Sequence, residues 1–105
     1  MNEAQLTKAV CDLLKACGWY VIRTHRPGQF ATHTGVSDLI VIGPHIQLTR
    51  DAGSEIAFIE LKGPRSKISA KQELFLADMT YRGHIAFIAS DVETVIEKLN
   101  LPVKV

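Results

Sequence analysis

Neither sign of charge dominates this chain of 105 residues: 12 Lys and Arg stand against 11 Asp and Glu, a formal net charge of +1. That balance excludes a strongly basic nucleic-acid coat protein, so any polyanionic partner has to be held by a local basic patch. Cysteine is scarce. The two present, Cys11 and Cys17, lie six apart in a helical pattern, about 600° of rotation or roughly 120° between faces, a poor placement for a disulfide. Nor do they belong to a set of four soft or imidazole ligands, so both read as core or half-buried thiols of a reducing compartment. No charged-then-apolar leader opens the chain and no apolar run approaches the ~20 residues that span a bilayer; the expected location is intracellular and cytoplasmic, away from membranes. Aromatics make up 7%, and nothing in their spacing suggests a stacking platform for single strands.

A hydrophobic content of 47% suffices for one compact core, and residues 1–105 leave no room for a second domain. From Glu3 to Cys17, Leu6, Ala9, Val10, Leu13, Leu14 and Cys17 recur at three- and four-residue steps, the mark of an amphipathic helix, and Gly18 stops it. Trp19 to Arg23 is aromatic and β-branched and reads as a strand. A turn-rich loop follows through Thr34. Asp38 to Ile42 forms a second strand; a hairpin arm at Ile46 to Thr49 turns through Asp51-Ala52-Gly53 into a third strand, Glu55 to Lys62. Ser69 caps a helix carrying Leu74, Phe75, Leu76, Met79 and Tyr81, with Gly83 at its end. Phe75, Leu76 and Met79 are expected in the core, as is Trp19. A strand from His84 to Ala89 and a helix from Asp91 to Leu99 complete the order α-β-β-β-α-β-α.

Two apolar runs carry charge. Gly35-Val36-Ser37-Asp38-Leu39-Ile40-Val41-Ile42 is followed about twenty residues later by Ile56-Ala57-Phe58-Ile59-Glu60-Leu61-Lys62. Side chains alternate along a strand, so Glu60 and Lys62 project from one face and Leu61 from the other. If the strands of Asp38 and Glu60 pair, two carboxylates and a lysine meet at one sheet edge, a donor set for a hard divalent cation with an acid/base group beside it. That chemistry suits phosphodiester hydrolysis. The plainer reading is a strand-capping Asp38 and a surface Glu60–Lys62 ion pair, worth about 0–1 kcal/mol.

Taken together, Gly35-Val36-Ser37-Asp38, Phe58-Ile59-Glu60-Leu61-Lys62 and Ile68-Ser69-Ala70-Lys71-Gln72 resemble the PD-(D/E)XK nuclease superfamily, and most closely its VRR-NUC family. Glu3-Ala4-Gln5-Leu6 is similar to the acidic start of the family's first helix, so the likeness covers nearly the whole chain. The resemblance implies an α/β, restriction-endonuclease-like α-β-β-β-α-β core: a small mixed sheet flanked by helices. It implies Asp38 and Glu60 as metal-binding acids with the Leu61 carbonyl and Glu3 as further ligands, Lys62 as the catalytic lysine, Gln72 as a catalytic-helix glutamine, and magnesium, replaceable by manganese, as cofactor. Ser37 departs from the pattern, which has proline there. Glu3 also suits a helix dipole, and Gln72 a capping box with Ser69.

Arg65, Lys67 and Lys71, with Arg26 in the earlier loop, are the expected DNA-binding cations. His25, Gln29 and His33 share that earlier loop and are given no catalytic role. By resemblance and size, the expected activity is a metal-dependent endonuclease on branched DNA, especially four-way (Holliday) junctions, acting as a homodimer, with a phage or prophage source implied by likeness alone. The pairing face is expected between His84 and Leu99. The alternatives are a flap, nicking or restriction-type nuclease and a non-catalytic DNA-binding module of the same fold.

Overall fold

The computed structural model describes residues 1–24, 35–44 and 55–103. Its elements run α1 (Glu3–Ala16), β1 (Tyr20–Arg23), β2 (Leu39–Ile42), β3 (Ile56–Leu61), α2 (Ala70–Tyr81), β4 (Ile85–Ala89) and α3 (Val92–Leu99), in the expected order. Asp38 lies one residue before β2 and Lys62 one after β3, so both reactive groups sit where strands give way to loops. The hairpin arm expected at Ile46 to Thr49, with its turn through Gly53, and the loop carrying His25, Arg26, Gln29 and His33 lie outside the described residues.

The strands form one sheet in the order β1-β2-β3-β4. β1 pairs antiparallel with β2 and β2 with β3, while β4 runs parallel to β3, the parallel step being crossed by α2 as a strand–helix–strand connection requires. The sheet is therefore mixed, α/β, as expected.

Strand alternation divides the sheet's faces. Ala57, Ile59 and Leu61 are fully buried and join Leu39, Val41, Phe87 and Ala89 in a core with Leu6, Val10, Cys11 and Leu14 of α1 and Val95 and Leu99 of α3. Phe58 and Glu60 face the other way, beneath α2: the Phe58 ring meets Phe75 edge-on at 5.5 Å. Trp19 is buried, and its ring lies so close to Gly43 that a Cβ there would come within 3.1 Å of it. Cys11 is buried and Cys17 half-buried, and both are free thiols. On α2 the core assignment changes: Leu76 is buried, but Phe75 and Met79 are only half-buried. The cause is geometric, since α2 alone covers its side of the sheet and nothing described packs over it. Among the described residues no helix is long and apolar enough to cross a membrane.

Side chains set the helix starts. Asn2 and Gln5 form a reciprocal capping box on α1, Ser69 and Gln72 another on α2, and Asp91 accepts the Thr94 N–H on α3, each satisfying amides that the first helical turn leaves open.

Candidate active site

A cleft of about 330 Å³ opens at the end of the sheet where β1 and β3 finish and β2 begins. Glu3, Arg23, Asp38, Glu60, Lys62 and Gln72 line it. Five elements contribute, and each side chain is fixed by its own local structure.

Asp38 is held by backbone clamping. The Thr24 N–H donates to the Asp38 carbonyl at 3.0 Å, and the Thr24 hydroxyl reaches both the Asp38 and Ser37 carbonyls. Gly35 begins the approach with φ +86°, where a Cβ would stand 2.8 Å from the Lys71 carbonyl oxygen; the Asp38 loop thus rests directly on the first turn of α2. The Asp38 carboxylate in turn accepts the Leu61 N–H at 2.9 Å through Oδ2, locking it to the strand that carries Glu60.

Glu60 is 1% exposed, although it is a carboxylate. Its Oε2 accepts from Lys62 Nζ at 3.0 Å and from Gln72 Nε2 at 2.9 Å. Its Oε1 is buried and has no partner. Burial pushes the Glu60 carboxyl up from the ordinary range, the charge of Asp38 pushes it further, and Lys62 opposes both. The plainer reading of a surface ion pair fails on this geometry, because the Lys62 side chain is only 17% exposed. A buried carboxylate oxygen turned toward a second carboxylate, with no donor of its own, is unfavourable unless a proton or a cation joins it.

The two readings of Gln72 hold together: its Oε1 accepts the Ser69 N–H at 2.9 Å, closing the capping box, while its Nε2 fixes Glu60. Glu3 likewise occupies the first turn of α1 and lines the cleft, its Oε1 accepting the Gly63 N–H at 3.2 Å. Among the described residues no group of three or more His, Cys, Asp or Glu side chains is close enough to hold an ion; Asp38 and Glu60 supply adjacent carboxylates, and Glu3 lines the same cleft.

No family model matches the sequence, and no curated protein does. Among solved structures, one described as a VRR_NUC domain superposes with a TM-score of 0.70 at 22% identity, covering 96% of this chain and 97% of that one. The chain has the fold of a VRR_NUC domain.

Within the VRR_NUC fold the expected cations are distributed unevenly. Arg65, Lys67 and Lys71 are exposed and none lines the cleft; Arg65 borders a neighbouring groove with Met1, Gly63 and Ser66. Arg26 lies outside the described residues. Among the described residues the cation that joins Lys62 in the cleft wall is Arg23, the last residue of β1, paired in register with Leu39. It escaped the sequence reading because a charge ending a strand looks like ordinary solvation; its adjacency to the residue after Asp38 is a fact of β1–β2 register. Ser37 does more than shape the chain: buried, it donates through Oγ to the Leu39 carbonyl at 3.0 Å, tying the residue before Asp38 to the start of β2.

Proposed function

We propose that this VRR_NUC fold is a divalent-metal-dependent endonuclease that hydrolyses DNA phosphodiester bonds, selective for branched DNA such as four-way junctions and acting as two copies. The observation that carries the reading is the unpartnered, buried Oε1 of Glu60 in a cleft shared with Asp38 and Lys62. Two neighbouring carboxylates are an oxygen donor set that a hard cation suits and that the folded chain alone leaves in repulsion. Asp38 and Glu60, with the Leu61 carbonyl beside them, would hold magnesium, with manganese as its substitute. Bound there, the cation supplies positive charge to the phosphate and acidity to water.

The chain's own residues divide the remaining work. Gln72 and Lys62 both converge on Glu60 Oε2, which fixes the carboxylate's plane and leaves Oε1 for the cleft. Lys62 Nζ, held beside that carboxylate, orients the attacking water or offsets charge developing on the phosphate. Arg23 on the opposite wall supplies a phosphate-binding cation. Water is the nucleophile, attacking phosphorus as the P–O bond to the leaving oxygen breaks; the leaving oxygen takes a proton.

The test is cleavage of a labelled four-way junction beside linear duplex, flap and single-stranded DNA, with wild type and Lys62→Ala, in magnesium, manganese or EDTA. Paired nicks across the junction are expected with either metal and none in EDTA. Lys62→Ala should retain binding while cleaving at least ~10²-fold more slowly, the low end of what a positioned acid/base contributes. Cleavage that prefers flaps or linear duplex would replace the junction assignment, and binding with no cleavage under any metal would leave a DNA-binding module.

A further inference from the structure

Three successive carbonyls around Asp38 depend on two hydroxyl-bearing residues. Thr24 follows the last residue of β1, and its N–H donates to the Asp38 carbonyl at 3.0 Å. Its hydroxyl stands against both the Ser37 and the Asp38 carbonyls, but a hydroxyl has one proton to give. The Asp38 carbonyl already has the Thr24 N–H, so that proton belongs to the Ser37 carbonyl. Ser37 in turn donates through Oγ to the Leu39 carbonyl at 3.0 Å. Ser37, Asp38 and Leu39 thus each accept a bond at this corner, just where β2 begins.

Carried one step further, the registers that pair Arg23 with Leu39 and Leu39 with Ile59 set Thr24, Asp38 and Glu60 on one rung of the sheet. Directly opposed strand residues have Cβ atoms about 4.5–5.5 Å apart, which makes the two carboxylates neighbours. Asp38 keeps this place only while its peptide plane does. Ser37 is 1% exposed, and among the described residues the Thr24 hydroxyl is the donor its carbonyl has. A buried carbonyl stripped of its donor bears the whole cost of its lost hydration. The relief open to it is to turn, which rotates the peptide joining Ser37 to Asp38 and carries Asp38 along. The Leu61 N–H, held by Asp38 Oδ2 at 2.9 Å, reports that displacement directly.

We propose that Thr24 is a positioning residue whose hydroxyl acts through the Ser37 carbonyl to set the Asp38 carboxylate against Leu61 and Glu60. Thr24 itself does not line the cleft, so it reaches the site only through Asp38. The role belongs to the hydroxyl and not to the bulk of the side chain. Serine therefore serves in its place, whereas valine, with the same branching and strand preference, does not. In one respect the proposal rests on the nuclease reading: by fixing Asp38 beside Glu60, the hydroxyl governs how tightly the two carboxylates hold a divalent cation together.

Amide hydrogen exchange of the full chain, followed by NMR without DNA or metal, tests it. In Thr24→Val the Leu61 amide should exchange about tenfold faster than in wild type, the upper end of what one intramolecular hydrogen bond contributes. The Lys62 amide, bonded to the Ala89 carbonyl at 3.0 Å on the other side of β3, should keep its rate, because a displaced Asp38 releases Leu61 alone whereas fraying of the strand releases both. Thr24→Ser should match wild type at both amides. Thr24→Ala removes the hydroxyl without setting a methyl group beside the Ser37 carbonyl and should release Leu61 as valine does, which keeps the test open if the valine variant does not fold. Calorimetric titration with manganese, again without DNA, should show affinity weakened in Thr24→Val and restored in Thr24→Ser. A Leu61 rate unchanged in both hydroxyl-free variants, Leu61 and Lys62 rates that rise together, a serine variant as fast as the valine one, or equal manganese affinity in wild type and Thr24→Val would each overturn the proposal. A wild type that binds no manganese would instead end the nuclease reading and leave the Leu61 comparison to decide the role of Thr24, so the two readings fall separately.

Discussion

The Glu60 carboxylate is buried with one oxygen bonded twice and the other not at all, and its carboxyl is pushed up by burial and by Asp38. A raised carboxyl means that the folded chain binds this proton more tightly than the unfolded chain does. The Glu60 contribution to stability is therefore complete below the ordinary glutamate range and is lost as pH rises through the folded-state value. In metal-free protein, lowering the pH toward the ordinary glutamate range of 4.5 should therefore relieve this group. Glu60→Gln tests that assignment. Its amide oxygen can keep the bonds from Lys62 and Gln72 while its nitrogen donates toward Asp38, so the metal-free melting midpoint should rise and lose the Glu60 part of its pH dependence; each kcal/mol of relief amounts to about 4–8 °C in a domain of this size. The same variant should lose the midpoint rise that millimolar magnesium gives wild type, and lose cleavage. A metal-free midpoint lower than wild type at neutral pH would mean that the buried carboxylate is already satisfied without a cation.

Among the elements, the contact between the Asp38 loop and the first turn of α2 aligns the site, and one glycine permits it. At Gly35 a side chain would meet three Lys71 atoms, two of them backbone, at under 3.0 Å, in a left-handed conformation. Left-handed strain alone costs about 1–3 kcal/mol, and the backbone contact has no flexible side-chain end to yield. Gly35→Ala should therefore lower stability by more than that strain, measured by urea unfolding, and should depress cleavage in the folded fraction by displacing Asp38 from Glu60. Gly83→Ala makes the contrast, because a Cβ there meets nothing within 4 Å and only the strain remains. These dependences also show what could be read from the chain. The strands around Asp38 and Glu60 and the Ser69 cap follow from alternation and capping chemistry, which are local, whereas the mixed sheet is implied by the family resemblance. The side of α2 that faces the sheet follows from Phe75, Leu76 and Met79, but the extent of their burial is not local, because it depends on what else packs over the helix, and Phe75 and Met79 remain half-buried. The burial of Glu60 was equally hidden, since its sequence neighbours show a charge on a strand but not the helix that closes over it.

For the whole molecule, measuring 40 × 30 × 24 Å with a formal charge of +1, there is little long-range attraction for DNA, and binding has to come from unpaired cations near the cleft. Several cations are already neutralised. Lys8 is paired with Asp12 at 2.6 Å, Arg82 with Asp78 at 3.1 Å, and Lys62 with Glu60. Arg23 lines the cleft, and Arg65, Lys67 and Lys71 are exposed near its rim. Each phosphate neutralised on duplex DNA steepens the dependence of log affinity on log salt by about 0.9, so the slope should be shallow, about −2 to −4 per protomer. Arg23→Ala should reduce its magnitude by about 0.9 and weaken binding alike on all sequences, as loss of a phosphate contact does. Lys8→Ala should leave the slope unchanged, because Asp12 already cancels that charge. Fluorescence-anisotropy titrations of a labelled junction at four or more salt concentrations, in calcium to hold cleavage off, provide the measurement. A slope insensitive to Arg23→Ala would remove Arg23 from the DNA path and leave phosphate binding to the Arg65–Lys71 segment, on the side of the cleft where α2 begins.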